Sequence, residues 1–248
     1  AGSSAYAVSR AKSPWISWTH RPPRMSTAGI GWKTAVTFCE ASGDAAVVAV
    51  QPQAGVGALF GVELGSQDVV AGHDRGGRVA YRLALDHPAR VHKLATLDII
   101  PTGEHFRRAD MKFALGYWHW FFLAHPHPIP EQLIGASPDA FFSGRPDRGN
   151  VHAPEALDDY LRCYRNPETI HAACEDYRAA ATYDFALDEA DRGKKKIAAP
   201  LLALWAGRGQ VDKWYDVLAV WRDWADDRHR QAIECGYFIP AETPNETY

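Results

Sequence analysis

Val69-Val70-Ala71-Gly72-His73-Asp74-Arg75-Gly76-Gly77-Arg78 runs a short β-branched strand into a Gly-x-Asp-x-Gly turn and then directly into a helix pattern. That order of strand, tight turn and helix decides the fold. Gly72 and Gly76 flank the bend because a sharp, strained turn leaves no room for side chains beside its central residue. Asp74 therefore stands at the tip of the turn and at the start of a helix, where backbone N–H groups and the macrodipole keep a carboxylate ionised. A carboxylate presented this way can attack carbon and form an ester, which suits carbon–halogen or epoxide bonds better than peptide bonds. The same residue also has a plainer use, as the N-cap of the helix it precedes.

Outward from the turn, residues 78–86 keep helical periodicity, with Val79, Leu83 and Leu85 available for burial, until His87-Pro88 stops them. Val91 to Ile100 reads as the next buried parallel strand, ending at Asp98 and closed by Pro101. The rhythm is that of a doubly wound α/β sheet, in which functional groups gather at the carboxyl ends of strands. Asp98 at such an end can cap the following turn or orient a catalytic histidine. Phe113 to Ala124 is aromatic and helical, and with the helices up to about Asp188 it forms a lid inserted between sheet strands. Pro200 to Ala206 resumes a strand, Gly207-Arg208-Gly209 is a loop, and Val217 to Trp224 is an amphipathic helix. Upstream, Gln67 to Ala71 feeds the turn, Val56 to Leu64 carries a weak helix pattern, and Ala45 to Val50 is a strand. The expected organisation is a divergent N-terminal part of the core over 1–54, core with the turn over 55–112, lid over 113–190 and C-terminal core over 191–248.

With 248 residues, 46% of them hydrophobic, the chain can bury one large core. A formal charge of −3 gives no electrostatic case for nucleic acid. Cys39, Cys163, Cys174 and Cys235 are scattered, without a Cys-x-x-Cys pair, and read as reduced thiols of a cytoplasmic protein. Residues 1–18 lack the apolar core of a signal peptide, and no apolar run reaches membrane-spanning length. Neither a membrane partner nor a cofactor is expected. His125 and His127 flank prolines in a loop and read as surface residues, so no metal site is expected, and Gly207-Arg208-Gly209 is too short to cradle phosphate.

Arg75 and Arg78 lie three apart on the first helical turn, so both can face the pocket of Asp74. Guanidinium forks match carboxylates bidentately, which makes a small anion such as a 2-haloacid the natural guest. Solvated surface arginines are the bland alternative. His119-Trp120 sits in the aromatic helix, where such a stripe usually builds core, yet paired N–H donors in an apolar pocket could hold a leaving halide. Tyr177, in Cys174-Glu175-Asp176-Tyr177-Arg178, could add a third donor.

Residues 72–88, Leu97-Asp98-Ile99-Ile100-Pro101-Thr102, Trp118-His119-Trp120-Phe121-Phe122-Leu123-Ala124 and Cys174-Glu175-Asp176-Tyr177-Arg178-Ala179 together resemble the haloacetate (fluoroacetate) dehalogenase family of α/β-hydrolases. The likeness runs from about Val69 to the C-terminus. It implies an α/β-hydrolase fold with a helical lid and a cofactor-free hydrolytic dehalogenase acting on a 2-halocarboxylate. It further implies Asp74 as nucleophile, Arg75 and Arg78 as carboxylate clamps, Asp98 as partner of a histidine base, and His119, Trp120 and Tyr177 as halide donors. In that mechanism an aspartyl ester forms with loss of halide and is then hydrolysed by water. An epoxide hydrolase shares the aspartate turn but has no need of the arginine pair, and a non-catalytic binder of small carboxylates is a third reading. The oligomeric state, homodimer included, stays open.

Two departures from the family stand out. Where the family has Gly-His-Phe, this chain has Gly236-Tyr237-Phe238, and a phenol is a poor general base at neutral pH. Ester formation is therefore expected to outrun ester hydrolysis. His229, nearby in sequence, has no evident reason to take over. The family's His-Gly-x-Pro turn, which supplies an oxyanion-hole N–H, has only a faint echo in Trp18-Thr19-His20-Arg21-Pro22-Pro23.

Overall fold

The computed structural model describes residues 36–41, 45–50, 68–143, 151 and 154–247. Strand β1 (Val36–Ala41) pairs antiparallel with β2 (Ala45–Val50). Strands β3 (Asp68–His73), β4 (Val91–Leu97), β5 (Leu201–Ala206) and β6 (Arg228–Ile233) form a parallel sheet in that spatial order. β2 packs beside β3. β5 and the C-terminal half of β4, from Leu94, are mostly apolar and mostly buried, as the middle of a parallel sheet requires. β6 is Arg-His-Arg-Gln-Ala-Ile and mostly exposed, the composition of an edge.

Helix α1 (Arg75–Asp86) follows β3 without a spacer. The bend between them is packed backbone on backbone. A Cβ at Gly72 would stand 2.4 Å from the carbonyl carbon of Gly76, and one at Gly77 would stand 2.8 Å from the oxygen of Gly72. β4 ends at Leu97 rather than running on to Ile100, because Asp98 takes a positive φ of 51° that a strand cannot continue.

Short helices α2 (Thr102–Arg107), α3 (Met111–Gly116), α4 (Trp118–Leu123), α5 (Ile129–Ala136), α6 (Pro138–Ser143) and α7 (Pro154–Tyr164) lead to α8 (Pro167–Ala179). The expected single helix over 113–124 is two. Tyr117 leaves helical geometry at φ −112°, ψ 38°, so Trp118 and Phe121 turn out to solvent while Phe113 and Trp120 turn in. A π-helical turn, Ala180–Asp184, joins α8 to α9 (Phe185–Asp191). α10 (Gln210–Trp214), α11 (Val217–Trp224), α12 (Ile239–Glu242) and α13 (Pro244–Thr247) complete the chain.

One face of the sheet buries Tyr81, Leu94, Ile100, Trp221 and Trp224, and the other buries Leu97, Leu204, Ile233 and Ile239. The helices α3 to α8, the expected lid, share a core of their own around Phe113, Trp120, Ile134, Ile170 and Cys174. Asp188 fastens α9 to α1 and α2. Its buried carboxylate accepts from Tyr81 Oη at 2.6 Å, the Gly103 amide at 2.7 Å and Arg82 Nη1 at 3.0 Å. Breaking one partner of such a buried set typically costs several kcal/mol, on the order of 3–5. Cys163, Cys174 and Cys235 are free thiols. No described helix is long and apolar enough to cross a membrane.

Candidate active site

The strand-to-helix bend sets Asp74 at φ 50° and ψ −120°, an uncommon conformation for any residue but glycine. Its amide donates to the Leu97 carbonyl at 3.3 Å, which ties the bend to the end of β4. Asp74 is the N-cap by position, yet its side chain makes no capping hydrogen bond. The carboxylate is free for other work, so the plain capping role does not hold here. Arg78 Nε lies 3.9 Å from Asp74 Oδ1, and the phenol of Tyr237 hydrogen-bonds the same carboxylate. Burial pushes the Asp74 carboxyl up, but the Arg78 charge and the bonded phenol outweigh it and hold the group below the ordinary carboxylate value.

Both arginines are buried, at 2% and 4% exposure, which removes the reading as surface residues. They are not equivalent. Arg75 is already engaged, its Nη2 donating to Asp176 Oδ1 at 2.8 Å and its Nε to Oδ2 of the same carboxylate. Its Nη1 has no hydrogen-bond partner among the described residues. Arg78 donates from Nη1 to the Ile100 carbonyl at 3.2 Å, and its Cζ lies 4.4 Å from the centroid of the Trp120 ring. Its Nε makes no hydrogen bond among the described residues. Buried guanidinium N–H groups left without acceptors are costly, so the geometry suits an anion that supplies them.

His119, Trp120 and Tyr177 come together although α4 and α8 carry them separately. The His119 and Trp120 rings each lie 5.8 Å from that of Tyr177, and Arg75 Cζ lies 5.1 Å from the Tyr177 ring. Burial, with the Asp74 charge adding to it, drives the Tyr177 phenol well up, so it stays a proton donor at neutral pH.

Asp98 is buried at 2% exposure. Its amide donates to the Leu204 carbonyl at 2.8 Å, and its Oδ1 accepts from the Ala206 amide at 3.0 Å. It does not cap α2, whose N-cap is Pro101. Nor does it orient a histidine, because Oδ2 has no hydrogen-bond partner among the described residues. Burial pushes its carboxyl up to about 7. His229, on β6, is about half exposed and lies 3.6 Å from Asp227, outside this cluster. The segment 18–23, read as an echo of the oxyanion turn, and the helix pattern over 56–64 lie outside the described residues.

Three groups in the cluster escaped sequence reasoning. Asp176 neutralises Arg75 from a position 101 residues away. His73 precedes Asp74, and its ring lies 4.8 Å from that of Tyr237; burial lowers its pKa, so it stays neutral. His105 of α2 is fully buried, its Nδ1 3.2 Å from the Tyr215 hydroxyl and its ring 5.1 Å from that of Trp120. His73 could have been flagged by adjacency to Asp74, whereas the other two leave no local signal.

The family model described as alpha/beta hydrolase fold matches residues 63–244. A fluoroacetate dehalogenase from Burkholderia sp. is 39% identical over 183 residues, covering 72% of this chain and 60% of the relative. A soluble epoxide hydrolase from Corynebacterium sp. (strain C12) is 28% identical over 186 residues, covering 71% and 62%. A solved Nostoc sp. PCC 7120 structure given the general label alpha/beta hydrolase superposes with a TM-score of 0.71 at 51% identity, over 74% of this chain and 64% of that one. The chain thus spans about three-fifths of the length of the two curated relatives it matches. These likenesses, together with the parallel sheet and its aspartate-bearing bend, put the chain in the α/β-hydrolase fold family.

Proposed function

We propose that the site dehalogenates a haloacetate or similar 2-halocarboxylate through an ester on Asp74. The observation that carries this reading is the Asp74 carboxylate, unspent on capping and faced by Arg78. One Asp74 oxygen attacks the α-carbon, a C–O bond forms, and the halide leaves with the electron pair of the broken carbon–halogen bond. Arg78 Nε and Arg75 Nη1, both without hydrogen-bond partners, receive the substrate carboxylate. His119, Trp120 and Tyr177 take the departing halide.

Hydrolysis of the ester needs water to attack the Asp74 carboxyl carbon while a base takes its proton. Tyr237 is a buried phenol driven well above its ordinary pKa, with burial as the main cause and the Asp74 charge next. It cannot serve as that base at neutral pH. The second half of the cycle is therefore the slow one.

Incubation of the protein with chloroacetate or fluoroacetate, followed by halide assay and intact-mass measurement, tests the proposal. The expected result is about one halide per chain and one glycolyl adduct, mapped to the peptide containing Asp74. Steady multiple turnover without adduct would refute the stalled half-reaction. Neither halide nor adduct, with acetate still binding in calorimetry, would favour a carboxylate-binding protein instead.

A second reading rests on the two protonated phenols of Tyr177 and Tyr237, both interacting with Asp74, since an epoxide oxygen needs such a proton donor. Ring opening of a small terminal epoxide, measured beside halide release, separates the two. The buried Arg75 Nη1 and Arg78 Nε, which have no hydrogen-bond acceptor among the described residues and would gain none from an uncharged apolar epoxide tail, favour the haloacid.

A further inference from the structure

We propose that His127, Glu131 and His171 form a divalent-cation site of the zinc class that clamps α5 to α8 at the surface of the lid. Glu131 sits on α5, and His127 stands four residues before it in Pro126-His127-Pro128. His171 arrives on α8 from 40 residues beyond Glu131. Both imidazoles turn the same nitrogen toward the same oxygen, His127 Nδ1 at 3.3 Å and His171 Nδ1 at 3.0 Å from Glu131 Oε1. The three donor atoms lie within 4.8 Å of one another.

Two nitrogens and one carboxylate oxygen suit zinc, cobalt(II) or nickel(II) rather than the all-oxygen preference of calcium or magnesium. Tetrahedral bonds of about 2.0–2.1 Å put neighbouring ligand atoms roughly 3.3 Å apart. The two nitrogen–oxygen separations already match that spacing. Closing the third needs only a small turn of His127, whose side chain is 62% exposed. The prolines on either side of it restrict its backbone, so little ordering is left to do. Water completes the fourth position.

The opposing feature is Arg178, whose Nη1 lies 2.8 Å from Glu131 Oε1. It keeps the carboxylate ionised, at a pKa of about 2; burial raises that pKa, and the bond from Arg178 more than offsets it. Arg178 has other acceptors to fall back on. Its Nη2 reaches Glu131 Oε2 at 3.1 Å, its Nη1 reaches Glu175 at 2.6 Å, and its Nε reaches the His125 carbonyl at 2.9 Å. A cation can thus take Oε1 while Arg178 keeps Oε2. The arginine charge weakens the site without closing it.

Titration of the full chain with Co2+, followed by its visible d–d absorption, and calorimetry with ZnCl2 test the proposal at neutral pH. One tetrahedral cobalt site is expected, displaced by zinc and emptied by EDTA. His127→Ala and His171→Ala should each weaken binding by at least about tenfold, in line with loss of a ligand. Arg178→Gln should tighten it roughly two- to tenfold, the effect of removing one nearby charge at a surface. Should the α8 variant fail to fold, the loop variant His127→Ala carries the test alone. Absence of stoichiometric binding, unchanged cobalt bands in the histidine variants, weak octahedral bands or a thiolate charge-transfer band would each overturn the proposal.

Discussion

The phenol of Tyr237 is hydrogen-bonded to the carboxylate of Asp74, so the group facing the bend donates its O–H to Asp74 and is not a base that could take a proton from water. That bond lowers the Asp74 pKa, and removing it must raise the pKa. Tyr237→Phe is expected to move the acid limb of the single-turnover alkylation rate to higher pH, by up to about one unit. Tyr237→His should convert stoichiometric halide release into repeated turnover, since general-base assistance is worth roughly 10²–10⁴ in rate. Halide assays of both variants across pH check the pair; an unmoved limb together with unchanged stoichiometry would contradict the assignment.

Arg75 and Asp176 bury one charge each against the other. Arg75→Leu strands the Asp176 carboxylate and is expected to cost about 3–5 kcal/mol of stability. The double change Arg75→Leu with Asp176→Leu removes both charges and should recover most of that loss. Urea denaturation of the two single variants and the double gives the coupling directly.

At Gly72 the obstacle is backbone, which cannot swing aside as a side chain can. Gly72→Ala should abolish the folded state or destabilise it by more than about 4 kcal/mol. Gly135, in α5, provides the control, because nothing lies within 4 Å of the site of its missing Cβ. Gly135→Ala should be neutral or stabilising, by up to about 1 kcal/mol. Thermal melts distinguish the two outcomes.

The strand, the bend and the helix after it are legible in the sequence because Gly72, Asp74 and Gly76 are close neighbours and the constraint on them is local. The helix over Val217–Trp224 is equally plain, since its buried Val220, Trp221 and Trp224 recur at helical spacing. β6 is not legible, because an exposed edge needs no apolar alternation and Arg228 to Gln231 carry no apolar residue. Nor does the break at Tyr117 show, since the aromatic residues on both sides of it suit a helix. In the site, the arginines could be found from their spacing behind Asp74, but not their inequality. That depends on Asp176, and tertiary pairing over 101 residues leaves no periodic trace.

Asp98 carries a proton in the folded chain up to about pH 7, whereas an unfolded aspartate loses it near pH 4. Between those values the native state binds more protons than the unfolded one, so stability falls as pH rises through the window. The decline attributable to this carboxyl is on the order of 2–4 kcal/mol. Asp98→Asn keeps an acceptor for the Ala206 amide but has nothing to ionise. Its stability should stay flat relative to the parent over the same range, and equilibrium denaturation at several pH values measures the difference.

The engagement of Arg75 by Asp176 has an electrical consequence. With that couple neutral in itself, and Arg78 set against Asp74, these four side chains start balanced. In the proposed reaction an arriving monoanion tips them to minus one, and expulsion of the halogen as an ion brings them back to zero. The tethered acid then sits opposite Arg78 with every formal charge matched, and no field is left to drive the adduct off. In such a pocket, being caught halfway is the comfortable state, and escape has to be paid for by a base.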